Sequence, residues 1–244
     1  MILCDSQLSN SIFNFSEGTN PNFPSWEGIK GWVEKLKISL DKHGEKSMNK
    51  DSKYWDLNQD FFKSKFDQGL SYKAFMESSK EHEQTRWQAV YDLISLTDAQ
   101  KELLGGFKRK INVLCMTGAF CGDCVRQCPI MQRIAEASDV IDLRFLDRDS
   151  NPDLSERLRI LGGTRVPVVV FLSEDFLEFA RFGDRTLSTY RKMAVEQIGS
   201  ACSMGIVPPA EKELQVLTQE WVEIFERPQL AMRLSPMLRQ RYGD

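Results

Sequence analysis

Four short, largely apolar runs decide what the second half of this chain is able to become. They are INVLCM (111–116), VIDLRFL (140–146), VPVVVFL (166–172) and FLEFARF (176–182). Each is too short for a typical helix, VPVVVFL is rich in β-branched residues, and VIDLRFL and FLEFARF alternate as half-buried strands do. A helical pattern separates the first two runs, and NPDLSERLRIL, opened by Pro152, reads as a short helix between the second and third. The last two runs are joined across Ser173–Asp175 as a hairpin, and a further helix is predicted over about 186–199. The order strand–helix–strand–helix–strand–strand–helix predicts an α/β fold, a mixed central sheet flanked by helices.

The flanks read differently. Residues 1–25 have no periodicity and many Ser, Asn and Pro residues, which predicts an irregular arm. A helical extension is expected over 26–106. It starts with Trp26, Ile29, Val33, Leu36 and Leu40 at helical spacing, followed by a solvated loop over 41–58 and an apolar cluster of Phe61, Phe62, Phe66 and Leu70. Ser71 is placed as the N-cap of one long helix that buries Tyr72, Phe75, Met76, Trp87, Tyr91 and Ile94. Thr97 and Gln100 have capping-box spacing for a short helix closed by Gly105 and Gly106. The sheet domain is expected over 107–200. A helical tail over 201–244 follows, its main helix carrying Leu214, Leu217, Trp221 and Phe225 on one face and ending at Pro228.

Hydrophobic residues make up 41% and charged residues 27%, a soluble globular balance. A net charge of −3 offers no basic surface for nucleic acid, so no nucleic-acid partner is expected. The N-terminal MILCDSQLSNSIF lacks a basic n-region, and no window approaches the roughly 20 apolar residues that a membrane helix needs. No membrane partner is expected, and the expected location is cytoplasmic, where stable structural disulfides are rare.

The chemistry concentrates in AFCGDCVRQCPI (119–130), which holds three of the six cysteines of the chain. Cys121 and Cys124 form a Cys-x-x-Cys pair, and Cys128 follows with Pro129 behind it. A thiolate cluster or zinc site needs a fourth ligand, usually from a second Cys-x-x-Cys or a pair of histidines. The two histidines, His43 and His82, have no ligand spacing, so no metal and no organic cofactor are expected. A redox dithiol has a physical logic here: Cys121 follows a buried strand and begins a helix. The unpaired amides and dipole of that helix favour a thiolate, with Cys124 one turn on to resolve a mixed disulfide.

From these residues the chain resembles the thioredoxins. FCGDC stands where that family has an aromatic residue and Cys-Gly-Pro-Cys, and Pro129 falls at the family's helix-kinking proline. DSNPDLSERLRILGGTRVPVVVF resembles their third segment, and Gly183 matches a family glycine. The likeness spans about 107–199, so 107–200 is expected to be a thioredoxin-like domain. With its helical lead-in, the chain more narrowly resembles a bacterial thioredoxin-like group. The resemblance implies a thioredoxin fold with added N-terminal helices and a C-terminal helical tail. It also implies a cis Val166–Pro167 bond beside the dithiol that offers backbone to a substrate.

The departures bear on mechanism. Cys115 stands where thioredoxins bury an Asp, and Phe145 at the matching Lys, so an apolar floor is expected under the dithiol. Asp123 replaces the motif proline; its charge disfavours a nearby thiolate, and Arg126 is a possible offset. Asp123 and Asp147 are candidate proton acceptors for Cys124, Asp147 by strand alternation with Phe145. Cys128 reads as a packed core thiol rather than a third redox thiol bonded to Cys124, and Cys115 as core. The expected activity is thiol–disulfide exchange: Cys121 attacks a protein disulfide, Cys124 resolves, and an upstream thiol reductant restores the pair. The alternative is a non-catalytic binding or scaffold protein on the same fold.

Overall fold

The computed structural model describes residues 53–199 and 211–243. Its elements run α1 (Gln59–Gln68), α2 (Tyr72–Glu77), α3 (Glu81–Leu93), α4 (Asp98–Gly105), β1 (Ile111–Thr117), α5 (Gly122–Glu136), β2 (Ile141–Asp147), α6 (Pro152–Arg157), β3 (Val168–Leu172), β4 (Glu178–Gly183), α7 (Leu187–Gly199), α8 (Glu211–Leu234) and α9 (Pro236–Tyr242). The irregular arm, the helix from Trp26 and most of the loop after it fall outside the described residues, as does the start of the tail. Among the described residues, no helix is long and apolar enough to cross a membrane.

The strands form one mixed sheet in the order β2-β1-β3-β4. β1 runs parallel to β2 and antiparallel to β3, and β3 pairs antiparallel with β4 across the predicted hairpin. β1 and β3 are buried at every position because strands cover both their edges and helices both their faces. On the far side of β2, the backbones of Leu70 and Phe145 exchange hydrogen bonds of 2.9 and 2.8 Å, so a piece of the N-terminal segment covers that strand's edge.

Register sorts the side chains onto two faces. Phe145, Cys115, Val169 and Phe182 are successive neighbours across the four strands and therefore share one face. Onto it pack α2, through Phe75 against Phe145 at 5.9 Å between ring centroids, and α8, through Trp221 against Phe182 at 5.2 Å. The opposite face receives α1: Arg144 of β2 lies over the Phe66 ring and Arg181 of β4 over the Phe62 ring. Lys65 then ties α1 to the start of α6, pairing with Asp153 at 2.8 Å and donating to Asn151 Oδ1.

Local signals act as expected in several places. Ser71 Oγ accepts from Ala74 N, and the Thr97–Gln100 capping box forms in both directions, at 3.2 and 2.9 Å. Two boundaries differ. The long helix from Ser71 is two helices, α2 and α3. The Ser78 and Ser79 hydroxyls both donate to Phe75 O, taking the carbonyl that a continuing helix would use, and Glu83 then accepts from Lys80 N to start α3 afresh. Pro228 does not end the tail helix; α8 runs through it to Leu234. The turn beyond the proline is held from outside. Gln229 accepts from the Lys108 and Arg109 amides and donates to Arg109 O, and Met232 is buried beside it.

Candidate active site

The site sits where β1 ends. After Thr117 the chain turns through Gly118, Ala119 and Phe120, and Cys121 becomes the N-cap of α5 with extended backbone. Cys121 N donates to Gly118 O at 3.0 Å, closing the turn. From the helical segment before the sheet, Trp87 Nε1 donates to Ala119 O at 3.0 Å. Trp87 is fully buried, so the turn that presents Cys121 is held by a residue of α3.

The two thiols differ in access. Cys121 is half-buried and Cys124 fully buried behind it. The Val166–Pro167 peptide bond is cis, and Cys121 Sγ donates to Val166 O at 3.7 Å, so this segment lies against the exposed sulfur. The pull of the helix start towards a Cys121 thiolate is outweighed by the rest of its surroundings. The hydrogen bond with Cys124 and burial push the Cys121 thiol up, and the amides of Cys124 and Asp123 at the helix start only partly oppose them. Burial pushes the Cys124 thiol up as well.

Beneath the pair the floor is mixed rather than wholly apolar. Cys115 and Phe145 are fully buried neighbours in register, as the apolar expectation requires. Thr117 also points in, its hydroxyl 3.3 Å from Cys128 Sγ, and Cys115 Sγ lies 3.9 Å from Cys128 Sγ. Pro129 is buried inside α5 one residue on.

The acidic candidates have other engagements. Asp147 accepts from the Asp149 and Ser150 amides at 3.0 and 2.9 Å, capping the turn after β2. Asp123 pairs at 2.5 Å with Arg185, and Asp123 and Arg126 both line a cavity of about 520 Å³ between α5, α7 and α8. Arg185 also meets Asp184 at 3.2 Å, and Asp184 is held in turn by Arg165 and Tyr190. Burial works to raise the Asp184 pKa, but the hydrogen bonds from Tyr190 and Arg165 outweigh it and hold the carboxyl low. Gln127 donates to Asp184 O at 2.8 Å, which docks this loop on α5. The glycine before it is sterically required: a Cβ at Gly183 would lie 2.7 Å from Pro167 O.

Sequence reading missed four contributors: Trp87 as an anchor of the turn, Thr117, Arg185, and Arg148. Arg148 stacks over Phe120 at 5.1 Å, donates to Thr164 O and interacts electrostatically with Cys121. None of the four has a local motif, because each reaches the site from a different element.

A half-buried Cys-x-x-Cys at a helix N-terminus, with a cis-proline segment against its outer sulfur beside a mixed four-stranded sheet, defines a thioredoxin-type protein. The chain belongs to the thioredoxin family: residues 69–196 match the family model for thioredoxin. That match begins in the helices ahead of β1. No curated protein matches. Among solved structures, a Pseudomonas aeruginosa protein of unknown function, PA1234, is similar at 21% identity with a TM-score of 0.53, over 68% of this chain and 98% of its own. An HIV epitope-scaffold is similar at 20% identity with a TM-score of 0.52, over 68% of this chain and 97% of its own. These two likenesses speak to the fold.

Proposed function

We propose that the protein is a thiol–disulfide oxidoreductase that reduces protein disulfides through Cys121 and Cys124. The observation that carries this reading is the asymmetry of the pair: Cys121 is accessible and lies 3.7 Å from Val166 O, while Cys124 is buried behind it. Cys121, as thiolate, attacks one sulfur of the substrate disulfide; a Cys121–substrate bond forms and a substrate thiolate leaves. Cys124 then attacks Cys121 Sγ, releasing the second substrate thiol and leaving a Cys121–Cys124 disulfide. The Val166–Pro167 segment offers backbone to an extended substrate chain. An upstream thiol reductant returns two electrons and restores the dithiol. No metal or organic cofactor takes part, and a reducing, cytoplasmic compartment suits this direction.

The upward push on both thiols makes this a slow reductase at neutral pH, because only the thiolate attacks. The amides of Asp123 and Cys124 at the start of α5 favour the thiolate and offset part of that push. Insulin reduction with a dithiol reductant tests the reading. Turnover is expected to rise from pH 7 to pH 9, to vanish in Cys121→Ser, and to give way to a trapped mixed disulfide in Cys124→Ser. No turnover at any of these pH values, together with no trapped adduct, would favour the alternative of a binding protein on this fold.

A further inference from the structure

A third and a fourth thiol lie under the proposed catalytic pair. Cys115 comes from the middle of β1 and Cys128 from the second turn of α5, and both are fully buried. Their sulfurs are 3.9 Å apart, with the Thr117 hydroxyl 3.3 Å from Cys128 Sγ. Cys128 also follows Cys124 by one helical turn on the same face of α5, and both are fully buried. The four cysteines are therefore ordered from the surface to the sheet as Cys121, Cys124, Cys128 and Cys115, with Cys128 one helical turn from Cys124 and in sulfur contact with Cys115.

We propose that Cys115 and Cys128 are a second redox couple, a buried dithiol that passes two electrons outward through Cys124. The exchange rests on the reading of Cys121 and Cys124 as a cycling pair. Starting from the Cys121–Cys124 disulfide, the Cys128 sulfur attacks Cys124 Sγ. A Cys124–Cys128 bond forms, the Cys121–Cys124 bond breaks, and Cys121 leaves as a thiolate that takes the proton given up by Cys128. The Cys115 sulfur then attacks Cys128 Sγ, forming the Cys115–Cys128 bond and expelling Cys124, which takes the Cys115 proton. The outer pair ends reduced and the inner pair oxidised, with no electron or proton unaccounted for.

The geometry suits this order. Closing Cys115 and Cys128 from 3.9 Å to a disulfide length of about 2.05 Å asks each sulfur to move roughly 1 Å. The intermediate Cys124–Cys128 bond spans i and i+4 of one helix, a strained spacing that makes it easily attacked and short-lived. Thr117 is placed to donate to Cys128 as its sulfur becomes a thiolate. Cys128 is still deeply buried, so the second phase is slow.

The test uses the full chain in a Cys4→Ser, Cys202→Ser background, with excess oxidised glutathione as oxidant. That disulfide reaches Cys121 but not sulfurs with no exposed surface. Thiols are counted after denaturation, and disulfides are mapped by peptide mass spectrometry. The expected result is loss of four thiols in two phases, the second yielding Cys115–Cys128. Cys115→Ala and Cys128→Ala, both checked for folding by circular dichroism, should lose two thiols in the fast phase only. In Cys124→Ser the inner pair should stay reduced. An end point of two lost thiols in that background, with Cys121–Cys124 oxidised and the inner pair free, would overturn the second couple alone. An inner disulfide forming equally fast in Cys124→Ser would overturn the relay. Absence of any Cys121–Cys124 disulfide would overturn the catalytic reading, and the exchange with it.

Discussion

Replacing Trp87 by phenylalanine removes one hydrogen bond from the turn that presents Cys121, and the structure sets the size of the effect. The indole N–H donates to Ala119 O at 3.0 Å inside the core, and the ring packs against Tyr72 at 5.9 Å and Phe75 at 5.7 Å. Phenylalanine keeps an aromatic ring but leaves the Ala119 carbonyl facing an apolar pocket, a cost of about 1–3 kcal/mol. The smaller ring leaves a void of ~40 Å³, which at about 24 cal/mol per Å³ adds roughly 1 kcal/mol. The expected loss is therefore about 2–4 kcal/mol, a large share of the 5–15 kcal/mol typical of a folded domain. Urea denaturation of the reduced protein measures it. A second readout, the alkylation rate of Cys121 in the folded state, should change severalfold, because Ala119 lies two residues before the thiol. Tyr91→Phe is the control: it removes a hydroxyl that donates to Glu136 on the surface and should change neither quantity appreciably. A Trp87→Phe variant that loses under 1 kcal/mol with unchanged Cys121 reactivity would refute the claim that α3 holds this turn.

Three further outcomes follow from the site. Arg185→Gln releases the Asp123 carboxylate beside the dithiol; Cys121 alkylation at neutral pH should slow about two- to fivefold, the equivalent of about 0.5–1 kcal/mol. High salt should shrink that difference, and Arg126→Gln should leave the rate unchanged. The Cys124 and Cys128 thiols are raised in the folded state by burial, so folding favours their protonated forms. Their stabilising contribution is full below the ordinary thiol pKa of about 8.5 and is lost above it, by about 1.4 kcal/mol per pH unit for each thiol. Denaturation midpoints should fall between pH 8.5 and 10, and a flat profile would contradict the assignment. Gly183→Ala forces a Cβ to within 2.7 Å of Pro167 O. It should cost about 1–3 kcal/mol in chemical denaturation and lower the rate of insulin reduction; a variant of wild-type stability would show that the loop gives way freely.

Much of this protein is legible in its sequence because the relevant physics is local. Period-two alternation in VIDLRFL, the β-branched run VPVVVFL and the capping box at Thr97 and Gln100 each act within a few residues, and each appears where it is read. A Cys-x-x-Cys between a buried strand and a helix is local too, so the position and unequal exposure of Cys121 and Cys124 follow from it. Tertiary structure decided what those groups meet. Arg185 lies far along the chain from Asp123 yet reaches it, because Gln127 docks the loop after β4 on α5. Pro228 continues a helix because Gln229 is bonded to a distant backbone. Helical spacing pairs Cys128 with Cys124, but only the packing of α5 on β1 sets Cys128 within 3.9 Å of Cys115. Periodicity tells which face a side chain takes; how near two faces come depends on every residue packed between them.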